Sequence, residues 1–150
     1  MPSSRPGGRA AASRVPAELF VDTSGWYPLV VRTSPDHRKV ADALRRLVRA
    51  GVRVVTSNLV VAETHALLLR RVSAQAALAF VQGVGDPPNL VVRSSAALEQ
   101  VAVADWLQRF ADQPFSLTDA VSFAIMAERR ISDALALDHH FRVAGFVAVP

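Results

Sequence analysis

Short apolar runs alternate along this chain with longer stretches whose apolar positions recur every three or four residues. Leu19 to Val21 is the first short run, and it leads straight into a carboxylate and two hydroxyls, Asp22-Thr23-Ser24. Gly25-Trp26-Tyr27-Pro28 then reads as a loop or a short first turn. From about Asp36 to Ala50, Val40, Ala43, Leu44, Leu47 and Val48 form a helical stripe, with Ser34 or Asp36 as caps and Gly51 placed as a C′ glycine. Val52 to Thr56 is short and β-branched, as a buried parallel strand should be. Ser57-Asn58 can cap a helix that carries Glu63 and runs to about Val72, and Ser73 caps another through Phe80, ending near Gly83 or Gly85. After the turn Asp86-Pro87-Pro88-Asn89 come a strand, Leu90 to Val92, and a helix from Ser95 to Phe110 with Trp106 among its inward positions. Pro114 ends that helix, and Ser116 or Thr118 caps the next, from near Asp119 to about Arg130. A strand from Ala134 to Leu137, a turn or short helix at His139-His140-Phe141, and a strand from Phe146 to Val149 complete the pattern. Regular alternation of strand and helix predicts an α/β three-layer sandwich around a five-stranded parallel sheet with right-handed crossovers.

Composition bounds this picture. The 150 residues are 51% hydrophobic and 20% charged, which suits one globular domain. Residues 1–17 hold Pro2, Pro6, Gly7, Gly8 and Pro16 between small and polar residues, and read as a disordered tail ahead of a domain over 18–150. The tail lacks the apolar centre of a secretory signal, and a natural start nearer Val15 is an expectation for this chain. The net charge of +4 would suggest nucleic acid, but Arg5, Arg9 and Arg14 supply most of it; without them 14 basic residues face 13 acidic ones. Lys39 is the only lysine. With no cysteine, disulfides, thiolate metal sites and cysteine nucleophiles are excluded, and a reducing compartment fits. No apolar run is long enough to span a bilayer.

Four acids fall where an open parallel sheet binds its ligands, beyond the carboxyl ends of the strands. Asp22 follows strand one and Asp138 follows strand four. Glu63 lies early in the helix after strand two, and Asp119 opens a helix. Each has a plain alternative: Asp119 a helix-start acid, Glu63 a solvated helix residue, Asp138 a turn residue. Asp22 resists such a reading, because a carboxylate closing a buried strand is costly unless paired. Four carboxylates from four elements on one rim repel each other unless a cation holds them. Hard oxygen ligands select Mg2+ or Mn2+, and such a site suits phosphodiester hydrolysis. Thr23 and Thr118, beside Asp22 and Asp119, can orient a carboxylate or a metal-bound water, or merely cap and turn the chain.

Val21-Asp22-Thr23-Ser24, Val61-Ala62-Glu63, the stretch from Ser116-Leu117-Thr118-Asp119 to Ala124, and Leu137-Asp138-His139-His140-Phe141 with Gly145-Phe146 resemble the PIN-domain ribonucleases, and most of all the VapC toxins of bacterial toxin–antitoxin pairs. The resemblance spans about residues 19–149, with 41, 56 and 19 positions between successive acids. It implies strand order 3-2-1-4-5 and a Mg2+- or Mn2+-dependent endoribonuclease that cuts structured RNA, either tRNA or a ribosomal RNA loop. It also implies a cytoplasmic homodimer inhibited by a small antitoxin. Asp22, Glu63, Asp119 and Asp138 map onto the family's acidic quartet; Asp133 competes with Asp138 but precedes strand four.

Around this quartet, Arg142, His139 and His140 flank Asp138 and can meet phosphates or bases, although a partly exposed turn is the plainer reading of His140. Arg70 and Arg71 read as ordinary helix-end cations. Trp26 and Tyr27 suit packing better than stacking on RNA. A catalytically inactive RNA- or protein-binding module is the second reading. A response-regulator receiver would want paired acids after strand one and a lysine late in the sheet, and a haloacid-dehalogenase-type phosphatase a second Asp at position 24. This chain has neither.

Overall fold

The computed structural model describes residues 15–150. The tail expected over residues 1–17 lies, up to residue 14, outside them. Five parallel strands form the sheet: β1 (Glu18–Val21), β2 (Arg53–Ser57), β3 (Asn89–Val92), β4 (Asp133–Leu135) and β5 (Val147–Val149). Their order is β3-β2-β1-β4-β5, as the resemblance implied. β1 is therefore central, with Phe20 opposite both Val55 and Ala134. Leu19, Phe20, Val21, Val54, Val55, Ala134 and Leu135 are all buried, because helices cover both faces.

The helices are α1 (Thr23–Val30), α2 (His37–Arg49), α3 (Asn58–Arg71), α4 (Ala74–Gly83), α5 (Ala96–Val101), α6 (Leu117–Arg129) and α7 (His140–Val143). Right-handed crossovers place α1 to α4 on one face and α5 to α7 on the other. The packed pairs agree: α1 touches α2 and α3, α3 touches α4, and α6 touches α5 and α7. Serines cap four of these helices at the expected kind of position: Ser57, Ser73, Ser95 and Ser116 each accept a backbone N–H from three residues on. Gly51, after α2, takes φ 87°, a left-handed conformation that needs glycine.

Three local expectations differ from the structure. The stretch Gly25 to Pro28 is not a loop but the body of α1, capped by Asp22 itself. Tertiary packing overrides its poor helix propensity. Trp26 is buried, edge-on to Phe80, and its Nε1–H donates to Thr56 Oγ1, whose hydroxyl donates in turn to the Val21 carbonyl. The single helix expected after Ser95 widens into a π-helical stretch, Ala102–Gln108, where Trp106 packs on Phe110, Phe123 and Phe146. β4 stops at Leu135 rather than Leu137, since the Leu137 and Asp138 N–H groups donate to the Ser24 hydroxyl.

α1 lies close to the end of β4. A Cβ added at Gly25 would collide with the Leu135 carbonyl oxygen and press on the Val21 side chain. Gly25→Ala is therefore expected to destabilise the fold by roughly 1–3 kcal/mol, the usual range for overpacking, measured by denaturant or thermal unfolding.

Candidate active site

Asp22 emerges from β1 buried among apolar neighbours. Ser24 answers part of its desolvation: its backbone N–H and its hydroxyl both donate to Asp22 Oδ2, at 3.2 and 2.8 Å. The same hydroxyl accepts the N–H groups of Leu137 (3.0 Å) and Asp138 (3.3 Å). Burial still holds the Asp22 carboxyl above its ordinary pKa. The Ser24 bonds pull it down, and the charge of Asp119 pushes it up again.

Glu63 stands in the second turn of α3. Partial burial raises its pKa first, then the charges of Asp22 and Asp119; a hydrogen bond from the Thr23 side chain opposes them, and Asp138 adds a smaller push. The Thr23 hydroxyl is itself held by Thr64 Oγ1 at 3.2 Å. Asp119 forms a capping box at the start of α6: its N–H donates to Ser116 Oγ, and the Ser116 N–H returns to Asp119 Oδ2, both at 3.0 Å. Asp138, just past β4, accepts the His140 N–H on Oδ1 at 2.9 Å.

All four acids line one cleft of about 390 Å³, together with Thr23, Ser24, Tyr27 and Arg71. Thr118 does not line it; its carbonyl accepts the Ser122 hydroxyl. Arg142 is exposed on α7, and exposed His139 has Nδ1 3.5 Å from Asp138 Oδ1. Asp133 lies at the other end of the sheet. There it lines a second cleft of about 700 Å³ with Arg53, Arg129 and Arg130, where Glu18 is already paired by Arg129 at 2.7 and 3.0 Å.

Three contributors escaped sequence reasoning. Ser24, read only as a hydroxyl following Asp22, links two of the acids. His140, read as a turn residue, is mostly buried, with Nδ1 3.0 Å from Asp119 Oδ2. Arg71, read as a helix-end cation, faces the cleft. Its spacing, four residues from Leu67 and eight from Glu63, was the available signal for that last one.

Chemically, this is a basin of oxygen donors with too much negative charge for its burial. A hard divalent cation meets that imbalance, and the quartet can hold one. Among the described residues the tightest group of ligand atoms is Asp138, His139 and His140, all within 4.8 Å of one another. The four carboxylates stand around the wall of the same cleft.

The chain belongs to the PIN-domain family, whose description matches residues 19–147. Its relatives include the 23S rRNA-specific endonuclease VapC20 of Mycobacterium tuberculosis, found in two strains. That protein is 37% identical over 131 residues, a stretch covering 87% of this chain and 97% of the relative. The crystal structure of M. tuberculosis VapC20, described as a sarcin–ricin loop cleaving toxin, superposes with a TM-score of 0.76 at 36% identity and covers 86% of this chain and 96% of that one.

The raised carboxyls set a pH dependence. Between the ordinary carboxylate pKa and the raised native one, the native state binds more protons than the unfolded chain, so stability falls as pH rises through that interval. The penalty in metal-free protein therefore grows as pH rises out of the ordinary carboxylate range. Asp22→Asn should therefore melt higher than the wild type at pH 7 without metal, by about 2–4 °C for each kcal/mol of strain removed. The gap should shrink toward pH 4 and on adding Mn2+, as read by thermal melts across pH.

Proposed function

We propose that this protein is a divalent-metal-dependent endoribonuclease toxin that hydrolyses a phosphodiester bond in a structured loop of large-subunit ribosomal RNA. The observation that carries this reading is the convergence of Asp22, Glu63, Asp119 and Asp138, from four separate elements, on one cleft of a PIN domain. The identity to VapC20 along nearly its whole length favours ribosomal RNA over tRNA. The toxin class adds a small antitoxin that silences the site, and the reading extends to a homodimer working in the bacterial cytoplasm.

The four acids would hold Mg2+ or Mn2+, which supplies charge neutralisation at the phosphate and a more acidic water for the attack. The chain's own groups supply order. Ser24 fixes the rotamer of Asp22 and ties it to the Asp138 backbone. Thr23 stands beside Glu63 in the cleft and is itself anchored by Thr64. Arg71, two helical turns beyond Glu63 or ~12 Å along α3, meets a neighbouring phosphate and sets the strand's path across the carboxylates. His139 and Arg142, exposed beside Asp138, are further phosphate or base contacts.

Purified protein incubated with ribosomes, or with an oligonucleotide of the ribosomal loop, should cut at one site with Mg2+ or Mn2+ and not with EDTA. Asp22→Asn should lower the rate by about 100-fold or more. Equal cleavage by this variant would remove the metal assignment, and no cleavage under any condition would leave an RNA- or protein-binding module in its place. Arg71→Ala should raise KM with kcat little changed, and lower the slope of log affinity against log salt by about 1.

A further inference from the structure

His140 touches two of the four acids, and they sit on different elements. Its Nδ1 is 3.0 Å from Asp119 Oδ2, in the first turn of α6, and its backbone N–H donates to Asp138 Oδ1, beyond β4, at 2.9 Å. Nδ1 also lies 3.5 Å from Asp138 Oδ1. The His140 side chain is 15% exposed and that of Asp119 13%. The ring stands edge-on to Phe115, with centroids 5.4 Å apart, which fixes its plane. An ionised carboxylate only accepts, so Nδ1 carries the proton in this bond. Asp119 Oδ2 thus takes two donors, the Ser116 N–H and the His140 Nδ1–H, and its other oxygen is left for the cleft.

We propose that His140 is a positioning residue whose Nδ1–H ties Asp119 to the Asp138 loop and so sets the carboxylate spacing that a divalent ion meets. This rests on the metal-dependent nuclease reading above. β4 and α6 each deliver one acid, and nothing in the sheet ladder relates the tip of the β4–α7 connection to the start of α6. His140 supplies that link through one residue: backbone to Asp138, ring to Asp119. A ring that merely filled space against Phe115 would leave the acids independent of it.

Two substitutions separate these roles. His140→Phe keeps a ring against Phe115 and removes the donor. His140→Asn gives up the ring but presents an amide N–H close to the position of Nδ1. Mn2+ binding to metal-free protein, measured by calorimetry without RNA, should be about 10–100-fold weaker in His140→Phe, the usual cost of losing a hydrogen-bond partner of a metal ligand. His140→Asn should recover most of that loss, even where it melts lower than the Phe variant. On the RNA substrate, His140→Phe should lower kcat with KM near the wild-type value. Wild-type Mn2+ affinity in His140→Phe, or a His140→Asn variant as weak as Phe, would overturn the role assigned to the Nδ1–H. A wild-type protein that binds no Mn2+ at all would instead bring down the metal-dependent reading together with this one.

Discussion

The hydroxyl of Ser24 joins the ends of the two central strands. It donates to Asp22 at the end of β1 and accepts the first two free N–H groups beyond β4. Each such bond is worth only about 1 kcal/mol net, but leaving the partners unmade inside the fold costs more. Its geometric effect is larger than its energy. It ends the β1–β4 pairing at Leu135, turns the chain toward Asp138, and holds the buried Asp22 carboxyl in one orientation. The same corner starts α1, which seats Trp26 over Thr56 and closes one side of the core.

The cleft above that corner is built against its own stability. Burial and mutual repulsion raise the Asp22 and Glu63 carboxyls, while hydrogen bonds from Ser24 and Thr23 offset part of the strain. The remainder of the domain supplies the rigidity that lets such a group persist. Around α6 and α7, Phe123 stands edge-on to Phe115 and Phe141, stacks on Phe146 and tilts against Trp106, and Phe141 reaches Phe20 on β1. This aromatic layer joins the central strand, α6 and α7, and so underlies three of the four acids.

Much of this could be read along the chain. Strand and helix periods, capping serines and Gly51 all follow from local chemistry acting over a few residues, so every strand was placed to within two residues and the cap positions were named. The acids were found because a carboxylate closing an apolar strand is conspicuous, and because strand order sends each of them to the same edge. α1 was missed because Gly25 and Pro28 are poor helix formers in isolation. Their helix exists because Trp26 has Thr56 and Phe80 to pack on, contacts 30 and 54 positions away in the sequence.

By itself, the sequence determined the alternation of elements, the parallel sheet and the end of it that collects negative charge, since each depends on spacing or on one residue's local cost. Only the tertiary structure decided which polar neighbours matter. Ser24 and Thr23 are equivalent hydroxyls on paper, yet the fold gives one to Asp22 and the β4 tip and the other to Thr64 on α3. His139 and His140 are equivalent imidazoles, yet one is exposed and the other turned inward onto Asp119. A hydrogen bond reaches about 3 Å, and no pattern along the chain reports which distant groups will come within that distance.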